Sequence, residues 1–169
     1  MIRSTSTSVL LIAAFLSAPL AAQDIAFDTM PILSCLEAED TPTDCIGRAA
    51  RTCMGATPGG DSTVGMGACL WAEAEFWDDR LNAAYRTLRA RHLDADAEAA
   101  LLDITVPSLA ETLQQMQRAW IDYRDAACAY ERANWGGGTG QGPAGAACVM
   151  SLTGEQALKL EDRLGEDLR

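Results

Sequence analysis

The chain has 169 residues, with 24 acidic against 13 basic side chains and a net charge of −11. That balance argues against nucleic acid as a ligand, because phosphate backbones are bound by Lys and Arg. It equally disfavours an anionic membrane surface, and suits either solubility or a cationic partner.

Residues 1–22 read as a signal peptide. Arg3 gives the positive start, VLLIAAFL (9–16) the apolar run, and Ser17, Ala18, Ala21 and Ala22 the small residues before a cut after Ala22. The run is too short to span a bilayer, which takes about 20 apolar residues. Losing Arg3 with the leader leaves a net charge of −12 over about 147 residues, the size of one domain. The expected location is periplasmic or secreted, with no stable membrane insertion after cleavage. No Cys follows the apolar run directly, so no lipid attachment is expected.

All six cysteines (Cys35, Cys45, Cys53, Cys69, Cys128 and Cys148) lie beyond the leader. An even count in an exported chain reads as three disulfides, with fifteen possible pairings. There is no Cys-x-x-Cys pair and His92 is the only histidine, so neither a metal site nor redox chemistry is expected. No cofactor is expected either.

Residues 23–34 show no sustained period, and residues 23–55 form a cysteine-containing N-terminal segment. Cys45, Ala49 and Cys53, at steps of four, predict one brief helix capped by Thr43 or Asp44. Glycine and proline make 55–67 a loop, in which Ser62 or Thr63 can start the next helix. Residues 69–92 then predict a long helix, with Leu70, Ala74, Trp77, Leu81, Ala84 and Leu88 in a four-three rhythm. Residues 93–107 read as a link opening with DADAEAALL, and Pro107 as the first turn of a helix running to about Asn134. Its expected core seam is Leu109, Leu113, Met116, Trp120, Tyr123, Ala127 and Tyr130. Two matching stripes predict an antiparallel pair packed along them. Residues 135–147, with six glycines, predict a flexible loop. A bridge closing it would stabilise the fold by roughly 3 kcal/mol in the chain-entropy model. Thr153 and Gln156 read as a capping box, with Leu152 and Ala157 as a staple. Ala157, Leu160, Leu164 and Leu168 then line a terminal helix. The predicted fold class is all-α: a compact bundle on two long antiparallel helices plus a C-terminal helix, stapled by disulfides.

Beside the seam, Gln117, Trp120, Arg124 and Cys128 share a neighbouring face. An unpaired buried charge costs about 3–5 kcal/mol, so Arg124 needs a partner. The expected arrangement is a polar clasp in which Arg124 meets Asp78 or Glu73, with Asn82 and Gln117 satisfying the rest. Asp125 is the local alternative. Such a clasp can fix helix register or hold a ligand.

Catalysis is the weaker reading, and no catalytic residue is expected. Glu73 with Asp78, or Glu75 with Asp79, could be drawn as a hydrolase pair, but such pairs need a cleft and a carboxyl of raised pKa. A triad would have to use His92, which reads as a solvated helix-end histidine. Of Trp71, Trp77, Trp120 and Trp135, only Trp135 beside the glycine loop is expected at the surface.

Taken together, CLWAEAEFWDDRLNAAYRTL (69–88), QRAWIDYRDAACAYE (117–131), the glycine loop and AACVMSLT (146–153) resemble the LprI-like lysozyme inhibitors, small secreted bacterial proteins. The resemblance covers about residues 53–168 and assigns 56–169 to the LprI-like helical domain. It implies an exported, disulfide-bonded helical protein and, for at least one lipoprotein member, inhibition of host-type lysozyme. The matching positions are Asp78, Leu81, Asn82, Tyr85, Gln117, Trp120, Arg124, Asp125 and Cys128. It also implies the pairs Cys53–Cys69 and Cys128–Cys148, which leave Cys35 with Cys45. The chain departs from the pattern in its extra N-terminal cysteine segment and in lacking a lipoprotein cysteine. The resulting expectation is a non-enzymatic protein whose partner is lysozyme or another cationic protein, blocked by acidic-surface docking. The docking candidates are Asp94, Asp96, Glu98 and Asp103, or Trp135 with its loop. The alternative is an accessory periplasmic module binding another envelope protein or a small ligand.

Overall fold

The computed structural model describes residues 24–38 and 41–166; the expected leader and Leu168 lie outside them. The described residues are helical with no strand: α1 (Met30–Ala38), a 3-10 turn (Pro42–Cys45), α2 (Arg48–Ala56), α3 (Thr63–Leu101), α4 (Leu109–Ala133) and α5 (Gln141–Glu166). Disulfides join Cys35 to Cys45, Cys53 to Cys69 and Cys128 to Cys148. Three such bonds mark an oxidising, extracytoplasmic setting.

The spine is α3, 39 residues and ~58 Å long at 1.5 Å per residue. It starts at Ser62, whose hydroxyl accepts from Gly65 N. All six residues of its expected stripe, from Leu70 to Leu88, are buried. The helix runs past the predicted end at His92, because DADAEAALL carries no helix breaker and alanine favours the helix. The link to α4 is therefore short, and Pro107 precedes the cap Ser108 rather than opening the helix. His92 accordingly sits within α3, not at its end.

The main partner of α3 is α5 rather than α4. Trp77 against Gly154, Arg80 with Glu161 and Arg91 with the Leu164 carbonyl ascend both helices together, so α3 and α5 run parallel. The links Gln117–Gln156 and Cys128–Cys148 descend, so α4 and α5 run antiparallel. Small residues let α5 come this close. A Cβ at Gly154 would lie 2.9 Å from Ile46 Cδ1 and 3.3 Å from the Trp77 ring, and Trp77 is fully buried beneath it. A bidentate pair, Arg80 Nε to Glu161 Oε1 at 2.9 Å and Nη2 to Oε2 at 2.8 Å, holds the register at the rim.

This arrangement corrects the reading of residues 135–160. The glycine loop is short, and α5 begins at Gln141, with Pro143 in its first turn where a missing N–H costs nothing. Thr153 and Gln156 lie inside α5 and cap nothing; both are buried. The α4 seam also shifts. Leu109, Tyr123 and Tyr130 are exposed, and the inward row is Ala110, Leu113, Gln117 and Cys128. The polar face of α4 is thus the one that meets α5.

Two carboxylates of α3 cap the neighbouring helices across space. The Glu73 side chain is 0% exposed and accepts from Gly47 N at 2.5 Å, Ala50 N at 2.7 Å and Trp77 Nε1 at 3.0 Å. Gly47, at φ 85°, is the N-cap of α2 and supplies no side chain, so Glu73 takes the role expected of Thr43 or Asp44. At the other end of α3, Asp96 accepts from Ser108 Oγ at 2.7 Å, Leu109 N at 2.8 Å and Ala110 N at 3.1 Å. These bonds, the Ser108 hydroxyl foremost, hold the Asp96 carboxyl below its ordinary value of 3.8.

Glu73→Gln keeps the shape but turns an amide toward a backbone donor, and is expected to lower the unfolding free energy by about 2–4 kcal/mol. Chemical denaturation checks this, with exposed Glu75→Gln expected within about 0.5 kcal/mol of the parent. Asp96 gives a pH signature. Its folded pKa is depressed, so its contribution is present above 3.8 and is lost as pH falls through the lower folded value. Thermal melts should show Asp96→Asn less stable than the parent at neutral pH, with the gap closing in strong acid.

Candidate functional site

Glu73 is absent from any open cleft, because its oxygens complete the α2 cap. It is not placed as a hydrolytic acid. Among the described residues no group of three or more His, Cys, Asp or Glu is arranged to hold a metal, and no helix is long and apolar enough to cross a membrane.

The resemblance residues split into two layers. In the interior, Gln117 Oε1 accepts from Gln156 Nε2 at 3.1 Å. That pairing joins α4 to α5, and Gln156 carries no periodic signal that marks it for this role. Nearer the surface, Arg124 donates to Asp125 Oδ1 through Nε at 3.0 Å and Nη2 at 2.8 Å, and its guanidinium lies 5.2 Å from the Trp120 ring centroid. Asp78 accepts from Asn82 Nδ2 at 2.7 Å along the same helix. Tyr85 packs against the core. Arg124 thus takes the local partner rather than Asp78 or Glu73, because α5 stands where the direct α3–α4 clasp would have formed.

Asp78, Arg124 and Asp125 nevertheless share one open cleft of about 510 Å³ between α3, α4 and α5. Trp71, Glu75, Arg132 and Thr153 also line it. Trp71 is exposed, contrary to its expected core position. The Thr153 hydroxyl, on a residue 1% exposed, has no hydrogen-bond partner among the described residues. A threonine inside a helix ordinarily returns its hydroxyl to the carbonyl four residues back; leaving it unpaired costs about 1–3 kcal/mol.

The residues expected to dock a partner separate to the two ends of α4. Trp135 is half exposed at one end, with Gly140 flat against its ring where any Cβ would collide. At the other end, Asp94 and Glu98 are exposed on the last turns of α3, while Asp96 is committed to the α4 cap. Asp103 forms the turn at φ 56°, a conformation that Asp tolerates better than most residues. Near it in sequence Leu101 (87% exposed), Leu102, Ile104, Val106 and Leu109 are all exposed, with no cover among the described residues. The periodicity of residues 93–107 gave no hint of this, since the segment reads only as an acidic link.

The family model described as lysozyme inhibitor LprI matches residues 53–160. The chain is 28% identical over 101 residues to uncharacterized protein R02472 of Rhizobium meliloti (strain 1021), covering 60% of this chain and 73% of that one. It is 25% identical over 132 residues to an uncharacterized 17.7 kDa protein in the puhA 5' region of Rhodobacter capsulatus, covering 75% and 80%. No solved structure matches. With the family model spanning most of α2 through α5, including the cleft and the exposed apolar end, the chain belongs to the lysozyme inhibitor LprI family.

Proposed function

We propose that this is an exported, non-enzymatic protein, periplasmic or secreted, that blocks a cationic glycan hydrolase of the lysozyme type. The observation that carries the reading is the end of the α3–α4 hairpin. Leu101, Leu102, Ile104 and Val106 are exposed there without cover among the described residues, and the exposed Asp94, Glu98, Asp103 and Glu111 flank them along the chain. An apolar centre with a charged rim is the anatomy of a protein contact, in which few buried side chains hold the complex. The net charge of −11 steers encounter with a basic enzyme. Family membership and the three disulfides support the same role and compartment, as does the leader expected at residues 1–22. The hairpin end, narrower than the bundle behind it, enters the substrate cleft and occludes it.

The test is hydrolysis of peptidoglycan by c-type lysozyme with the oxidised, leader-free protein added at low and high salt. Saturable inhibition that weakens with salt is expected. Leu101→Asp with Ile104→Asp should raise the inhibition constant at least tenfold through faster dissociation. Neutralising Asp94, Glu98 and Asp103 should mainly slow association, and Trp135→Ala should change little. Inhibition insensitive to the hairpin end but lost in Trp135→Ala would move the contact to the other end of α4. No inhibition at large excess would sink the lysozyme reading.

A further inference from the structure

The cleft between α3, α4 and α5 is separate from the hairpin end, and its groups are not all satisfied. Two charges that line it, Arg124 and Asp78, are already bonded to Asp125 and Asn82. Arg132 and Glu75 also line it, and among the described residues neither side chain has a hydrogen bond or ion pair. They carry opposite charge and line the cleft from α4 and α3, yet form no ion pair with each other. Arg132 is not loose. Its stem and Nε rest on α5 at Gly145, where a Cβ would collide with them. Thr153, almost wholly buried, closes the floor of the cleft, with its hydroxyl turned away from solvent. Beside them the exposed Trp71 indole offers an apolar wall.

We propose that this cleft binds a small zwitterion, a free dipeptide in size, with its carboxylate on Arg132 and its ammonium on Glu75. A guanidinium matches a carboxylate through two parallel hydrogen bonds, and a carboxylate accepts readily from an ammonium. The ligand's middle lies over the Trp71 indole, which lines the same cleft. The volume of about 510 Å³ falls within the roughly 300–1,000 Å³ usual for small-molecule sites. A simple anion would leave Glu75 facing it, and a simple cation would leave Arg132 facing it. Only a ligand carrying both charges satisfies both ends. This inference does not rest on lysozyme inhibition.

The experiment follows the Trp71 indole N–H by nuclear magnetic resonance while the whole leader-free protein is titrated with alanyl-alanine, with buried Trp77 as the internal reference. Parallel titrations use the N-acetylated, the C-amidated and the doubly capped dipeptide. A saturable shift at Trp71 is expected, weakened at least tenfold by capping either end. Arg132→Gln should abolish discrimination against the amide, and Glu75→Gln discrimination against the acetylated form. Both side chains are exposed and unbonded, so both variants should keep the parent's melting temperature. A doubly capped dipeptide that binds as well as the free one overturns the proposal, as does the absence of a saturable shift at tens of millimolar.

Discussion

The rest of the structure depends on a buried carboxylate set against the start of a helix that has no cap of its own. Helix α2 begins at Gly47, which can turn the chain but offers no side-chain acceptor. The first N–H groups of a helix must be satisfied, and here the interior excludes water. Glu73 meets that need from α3, taking two backbone donors and the Trp77 indole at once. The same two oxygens therefore fix α2 on the spine and set the rotamer of the largest core side chain. A buried polar group is tolerated only when its hydrogen-bonding capacity is filled in this way.

Asp96 acts similarly at the far end of α3, where it adds to the cap that Ser108 already gives α4. It caps α4 from a neighbouring helix and so determines how the hairpin closes. Closing it there leaves residues 101–106 as a protruding turn with its apolar side chains outside the core. The exposed end follows from where the cap sits, and the cap follows from α3 continuing past His92. Structure and proposed contact are linked through one acidic side chain.

The cleft arises from the choice of partner for α3. Because Gly154 and the buried Ala146 and Ala157 of α5 permit close approach, α5 occupies the groove along the spine and α4 is displaced to its outer side. The polar row of α4 then meets α5 through Gln117 and Gln156, while Arg124 and Arg132 remain at the surface over the opening. Tyr123 and Tyr130 turn outward for the same reason. What reads as a clasp between two helices is an open three-helix cleft.

The sequence alone determined the all-helical class, the buried stripe of α3 and the even cysteine count, because each rests on a local or additive property. A four-three rhythm from Leu70 to Leu88 needs no knowledge of the neighbour it packs against. The paired segments around Trp77 and Trp120 also carried the family resemblance. Only the tertiary structure decided which helix lies against which. Periodicity weighs Tyr123 and Leu113 alike as apolar, while glycine and alanine, which permit the closest packing, barely register as hydrophobic. Hence α5 was foreshortened and the α4 stripe was rotated by one residue. Caps across space were equally hidden, since Glu73 lies 26 residues from Gly47 and no local pattern joins them. The cleft itself depends on side chains from three helices, and their meeting is a property of packing rather than of any segment.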